Sequence, residues 1–359
     1  MLIPTWNPPG PGRKAGVGFV VATLTLAGLA ACTSAGHHSD GSSAGSPATS
    51  AGGSGSSATV AAASREVSFV VDGTTTYATL QIPAHSGGQR LAAALLIAGS
   101  GPTDRNGNDA GLGVTADTLE LVAGLLAQQG IMSLRYDKYF AGKTGAGAFS
   151  SDPASITMPA FVTQAVAAYE FMGRQPEADP AKLLVVGHSE GGMVALAVAE
   201  AAATKPAGLA LLEPQDERLL DLLELQIDEN ISALVAQGTL PTDQARRNRQ
   251  AVATAIRQFR AERAVATSGM AAQVVALLRP ILLAPDTANF ARTDDAIVPA
   301  TLANKVTSGT RVLVTDGTRD QNVPISTVGP LVQTLTQAGA TGPGLVTLPG
   351  TDHYLHLAN

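Results

Sequence analysis

"KLLVVGHSEGGMVALAVAE", Lys182 to Glu200, is the stretch that decides the fold. An apolar run, Leu183 to Val186, leads into Gly187-His188-Ser189-Glu190-Gly191-Gly192, and a segment of small residues follows. The run reads as a buried strand and the segment from Gly191 to Ala203 as a helix. Glycines on both sides of one serine suit a tight turn in which Ser189 takes a positive φ. A side chain at 187 or 191 would then clash across the turn. Glycine fills 38 of 359 positions, so this Gly-x-Ser-x-Gly spacing surrounds about 1% of serines by chance. Its place between a strand and a helix is what gives it weight. Such a turn also sets Ser189 at a helix N-terminus, where the dipole favours developing negative charge.

Working outward, the same alternation continues. "REVSFVVDGTTTYATLQIP" reads as two strands about a turn at Asp72-Gly73. "LAAALLIAGSG" is a buried strand, Thr115 to Gln129 a helix, "IMSLRYD" a strand and Pro159 to Met172 a helix. "AGLALLEP" is the strand after the serine-bearing unit. Strands alternating with helices predict an α/β protein with a mostly parallel sheet flanked by helices. From Asp216 to about Ala284 only helical spacing appears, including Leu222, Leu223, Ile227 and Leu234 and then Arg246, Arg247, Arg249, Arg257, Arg260 and Arg263. Strand "RVLVTDG", a helix near Ile325 to Ala338 and strand "GLVTLPG" resume the sheet. The organisation expected is a core of residues 65–215 and 301–359 with an inserted helical cap at 216–300.

A serine hydroxyl is a weak nucleophile until a base takes its proton. In open parallel sheets the site forms at the carboxyl ends of the strands. Two downstream segments supply partners there. "RVLVTDGTRDQNVP" offers Asp320, with Asp316 as the fallback acid, and "GLVTLPGTDHYLH" offers His353, with His356 as the fallback base. His188 points away from Ser189 in such a turn, and His85 precedes a strand at the wrong end of the sheet. An oxyanion would need backbone N–H donors: Glu190, after the serine, and Ser100, after the strand ending "IAGSG". In "DRNGND" the alternation of Asp104, Asn106 and Asn108 hints at a calcium loop, but Asp109 and Thr115 stand where glycine and glutamate are required. Asp104 and Arg105 are read instead as bracing the loop beside the site.

In order and spacing, "GSGPTDRNGN", "RYDK", "GHSEGG", "DGTRDQNVP" and "GTDH" resemble a bacterial α/β-hydrolase group of esterases, acyl hydrolases and serine-aminopeptidase-like enzymes. The resemblance implies the α/β-hydrolase fold with a helical cap that shapes substrate choice. It also implies a Ser-His-Asp triad, carried here by Ser189, His353 and Asp320. One departure is visible: Tyr139-Phe140 follow "YDK" where relatives often have Arg-Gly, so the loop to Ser150 is expected to meet substrate differently.

The first 64 residues stand outside that core. Arg13 and Lys14 precede an uncharged stretch from Ala15 to Ala31, the pattern of a secretory signal peptide. It ends in "LAAC", which resembles a bacterial lipobox with Cys32 as the lipidated residue. Cys32 is the only cysteine in the chain, so no intramolecular disulfide can form. Residues 32–64 are Gly-, Ser- and Ala-rich and read as a flexible tether, with His37 and His38 incidental. The expected location is the cell envelope, reached by secretion and held to the membrane through Cys32. The formal charge is −6, moving to about −8 once residues 1–31 are removed. With no run of Lys and Arg, nucleic acid is not expected as a partner. No phosphate loop or metal-ligand spacing points to a cofactor.

The function expected is hydrolysis of small-molecule or lipid-like carboxylic esters. A thioesterase or aminopeptidase-like amidase on the same triad is the alternative within enzymes. A non-catalytic envelope binding lipoprotein is the alternative outside them. The cap leucines suit either an acyl lining or packing against the sheet. The cap arginines suit either anionic groups or a solvated helix face.

Overall fold

The computed structural model describes residues 58–111 and 113–358. The hairpin about Asp72-Gly73 forms as the sequence predicts. Strands β1 (Ala63–Val71) and β2 (Thr74–Ile82) pair antiparallel, and both turn residues have positive φ, 47° and 77°. Such values suit the twist of a two-residue hairpin turn. β1 begins inside the segment expected to be tether, and Thr59–Val60 pair with His85–Ser86 just before it. The tether reading of 58–64 is therefore corrected. Composition misleads here because an edge strand is held by its backbone pairing and needs few apolar side chains: Ala63 and Ser64 pair with Ile82 and Gln81.

The remaining strands are β3 (Leu91–Ile97), β4 (Met132–Tyr136), β5 (Ala178–His188), β6 (Gly208–Leu212), β7 (Arg311–Gly317) and β8 (Thr341–Leu348). They build one eight-stranded sheet in the order β8-β7-β6-β5-β3-β4-β2-β1. All pairs from β4 through β8 are parallel; β1 and β2 form the antiparallel end. β5 is central, pairing Ile97 with Gly187 on one side and Leu212 with His188 on the other. Its carboxyl end, where Ser189 follows, is the middle of the sheet's edge.

Helices α1 (Thr118–Gln128), α2 (Met158–Gly173) and α3 (Glu190–Ala201) connect these strands. α2 and α3 share one apolar core with the sheet, and α1 covers a second, smaller core on the other side. Leu95 and Leu96 are fully buried on β3, and such burial stabilises by roughly 1.5–3 kcal/mol each.

Between β6 and β7 lie α4 (Leu219–Ala236), α5 (Thr242–Arg260), α6 (Ala272–Leu278), a π-helical turn at Arg279–Leu283, α7 (Pro285–Asp295) and α8 (Pro299–Ala303). α4, α5 and α6 enclose their own apolar core. α7 belongs to both bodies: Phe290 packs in the sheet's core and Ala291 in the helical one. α8 contacts α3 and α9 (Gly329–Gln337) beside the sheet.

Candidate active site

The turn after β5 gives Ser189 φ 56° and ψ −126°, a conformation that costs of order 1–3 kcal/mol and persists only when its surroundings enforce it. The surroundings here are three glycines. A Cβ on Gly187 would lie 1.9 Å from the Gly191 carbonyl oxygen, and one on Gly191 would lie 2.3 Å from that of Ile97. A Cβ on Gly192 would meet Pro214 at 2.8 Å. The Ser189 carbonyl accepts from the Gly192 and Gln215 amides at 2.8 and 2.9 Å, and the Ser189 amide donates to Leu212 at 2.9 Å. Ser189 Oγ donates no hydrogen bond among the described residues.

The candidate acid and base lie in the two loops beyond β7 and β8. Asp320 Oδ1 accepts the amides of Asn322 and Val323 at 2.7 and 2.9 Å, which fixes the carboxylate. Its Oδ2 accepts from His353 Nδ1 at 2.7 Å. That bond places the proton on Nδ1 and leaves Nε2 as the basic nitrogen. His353 is buried, and its ring lies 4.9 Å from that of His188, the neighbour of Ser189. Glycine again permits the docking of these loops, since a Cβ on Gly317 would lie 2.3 Å from the Thr351 carbonyl oxygen.

His188 points behind the site, as expected, and its Nε2 donates to the His353 carbonyl at 2.6 Å. Burial, with the His353 charge beside it, pushes its pKa down to about 3, so it is a neutral brace. The fallback residues fall elsewhere. His356 makes backbone bonds within the Asp352 turn, and His85 Nδ1 meets the Pro83 carbonyl away from the site. Asp316 is buried under Asp320 without a hydrogen bond to His353.

Asp316 belongs to a cluster that sequence reading missed. Glu213, Asp316 and Asp320 bring carboxylate oxygens within 4.8 Å of one another. Glu213 follows β6 with φ 46°, and its Oε2 accepts the Gly317 amide at 2.7 Å. Burial, with the Asp316 charge beside it, pushes the Glu213 carboxyl up to about 9, and burial with the charges of Asp320 and Asp216 pushes that of Asp316 up to about 7. Protons thus relieve the crowding. The sequence signal was a lone acid ending each of two apolar strands.

The loop after β3 brings Gly99 against the turn: a Cβ there would lie 3.0 Å from Ser189 Cβ. Ser100 follows it, and neither the Ser100 nor the Glu190 amide donates a hydrogen bond among the described residues. Asp104 ties up its own loop, Oδ1 accepting the Asn106 and Asn108 amides at 2.8 and 3.0 Å. Arg105 reaches outward, to Glu66 Oε2 at 2.8 Å on β1 and Asp137 Oδ2 at 2.7 Å after β4. Cys32 lies outside the described residues.

A model described as "Alpha/beta hydrolase family" matches residues 110–359. The chain belongs to the alpha/beta hydrolase family. No curated protein matches the sequence. Among solved structures, this alpha/beta hydrolase is similar to Est1E from Butyrivibrio proteoclasticus with ferulic acid bound. The two are 17% identical over 81% of this chain and 92% of that one, with TM-score 0.52. It is also similar to the alpha/beta hydrolase GrgF from Penicillium sp. sh18, at 16% identity over 81% and 91% with TM-score 0.50. A puromycin-hydrolyzing peptidase of Mycobacterium tuberculosis matches at 16% over 81% of this chain but 37% of its own, with TM-score 0.50. At these identities the likeness is one of fold.

Proposed function

We infer that the protein is a serine hydrolase of carboxylic esters acting through Ser189, His353 and Asp320. The observation that carries this reading is the strained Ser189 turn with the Asp320–His353 pair docked beside it. His353 Nε2 takes the Ser189 hydroxyl proton as Oγ attacks the acyl carbon, and the carbonyl oxygen becomes an oxyanion. The Ser100 and Glu190 amides receive that charge. The C–O bond to the alcohol breaks, the alcohol leaves with the proton from His353, and an acyl-Ser189 ester remains. Water, deprotonated by His353, then frees the carboxylic acid and restores Ser189.

Of the apolar cap residues, Leu223 and Ile227 pack in the cap's own core, with Leu234 against it. Several cap arginines pair within the cap: Arg246 with Asp243, Arg249 with Asp228, and Arg260 with Asp221 and Asp295. Neither feature argues for an anionic or long-chain substrate. Secretion and anchoring through Cys32 complete the proposal. It rests on the sequence pattern of residues 13–32.

The test compares residues 58–359 with the Ser189→Ala variant on 4-nitrophenyl esters of increasing acyl length, a thioester and an aminoacyl amide. Turnover of esters by the wild type, with a loss of about 10³-fold or more in the variant, is the expected result. Equal rates for the two proteins would remove the triad reading. Turnover confined to the amide or thioester would move the activity to the alternative class.

A further inference from the structure

Lys138 ends "RYDK" just past β4 and is buried, 4% exposed. A buried ammonium is costly unless it is paired and hydrogen-bonded. Its Nζ donates to the Gly99 carbonyl and to Glu190 Oε1, the latter at 3.3 Å, with the Phe161 ring 5.7 Å away. Glu190 is 2% exposed. Lys138 therefore ties together two backbone segments far apart in sequence, the loop after β3 and the first turn of α3.

Those segments carry the two amides assigned to the oxyanion. The Gly99 carbonyl and the Ser100 N–H belong to one peptide unit, which is planar and trans, so they point in opposite directions. Holding the carbonyl down onto Lys138 turns the Ser100 N–H away from the lysine. Gly99 abuts Ser189 Cβ, so the peptide that carries that N–H lies beside the serine. The Glu190 contact ties the second donor's residue to the same ammonium. We propose that Lys138 is a positioning residue for the oxyanion donors, setting the Gly99–Ser100 peptide through its carbonyl and fastening it to Glu190. The proposal rests on the serine-hydrolase reading.

Asp294, from α7, is fully buried near Glu190 and accepts Gln215 Nε2 at 3.3 Å. Burial and the Glu190 charge hold its carboxyl well above the usual carboxylate range.

Lys138→Met keeps the stem and removes the donor. The expected result with a 4-nitrophenyl ester is a fall in kcat of about 30- to 300-fold with KM within about threefold, the mark of an interaction made in the transition state. The affinity for phenylboronic acid, whose serine adduct is tetrahedral, should fall by a similar factor. Because the single variant strands the Glu190 charge, Lys138→Met with Glu190→Met is run beside it. Replacing both members of a buried pair by apolar residues is often neutral for stability. The double variant should fold, melt near the wild type and still lack the activity. Recovery of kcat in the double variant would show that Lys138 only neutralises Glu190, and would overturn the proposal. So would a KM effect with unchanged kcat, or loss of the folded state in both variants. A wild type that neither turns over esters nor binds the boronate, like Ser189→Ala, would indicate failure of the hydrolase reading instead.

Discussion

At the scale of single residues, the site is a set of close approaches that only particular side chains allow. Ser189 is held at positive φ because Gly187 and Gly191 leave room for carbonyl oxygens that a Cβ would strike. Asp316 at the end of β7 and Asp320 in the loop after it are both buried acids, yet only Asp320 bonds to His353. Asp320→Asn should therefore lower kcat by about 10³- to 10⁴-fold by favouring the wrong imidazole tautomer, whereas Asp316→Asn should stay within about tenfold. Steady-state kinetics on one ester compares them. If Asp316→Asn were the more damaging, the acid would be misassigned. The positions of Ser189, Asp320 and His353 could be read from sequence because each lies just past the carboxyl end of an apolar strand. Lys138, Glu213 and the brace from His188 could not. Their partners lie 39 or more residues away, for Lys138 and Gly99 as for Glu213 and Gly317.

At the scale of elements, the strands were the legible part, because parallel strands buried on both faces read as continuous apolar runs. Helix limits were less so. α1 starts at Thr118 rather than Thr115, since Asp117 before it sits at φ 50° and Asn108 grips both its amide and its carboxylate. α9 starts at Gly329 rather than Ile325, because the turn held by Asp320 and the Pro324 carbonyl occupies the residues before it. The cap's fastening was hidden altogether. Arg260 on α5 bonds to Asp295 on α7 at 2.8 Å and Asp221 on α4 at 2.8 Å, and Arg218 shares Asp295. The burial that would raise the Asp295 pKa is outweighed by Arg260 and Arg218, which hold it below the usual range. Arg260→Ala should cost about 1–2 kcal/mol, discounted because the arginine is partly exposed. The loss should fall on the cap. Hydrogen exchange should quicken in α4 and α5 and stay unchanged in β3 and β5, and uniform quickening would contradict a local fastening.

At the scale of the whole molecule, the raised carboxyls couple stability to pH. Glu213 and Asp316 keep protons in the folded state that the unfolded chain releases near its ordinary carboxylate pKa values. The folded state thus binds more protons, and its stability falls as pH rises from about 5 toward the raised values. Glu213→Gln mimics the protonated acid and should flatten that decline. Urea unfolding at pH 5 and pH 9 should show the variant gaining on the wild type only at the higher pH, and a parallel shift at both would refute the linkage. The same cluster lies behind Asp320 at the end of the sheet where the loops after β3, β5, β7 and β8 converge. That convergence is what the central claim depends on. It is tested most directly by treating the folded protein with a fluorophosphonate and mapping the adduct by peptide mass spectrometry. One phosphonyl group is expected on Ser189, absent in Ser189→Ala and strongly slowed in His353→Ala. An unlabelled Ser189, or labelling that ignores the loss of His353, would contradict that claim.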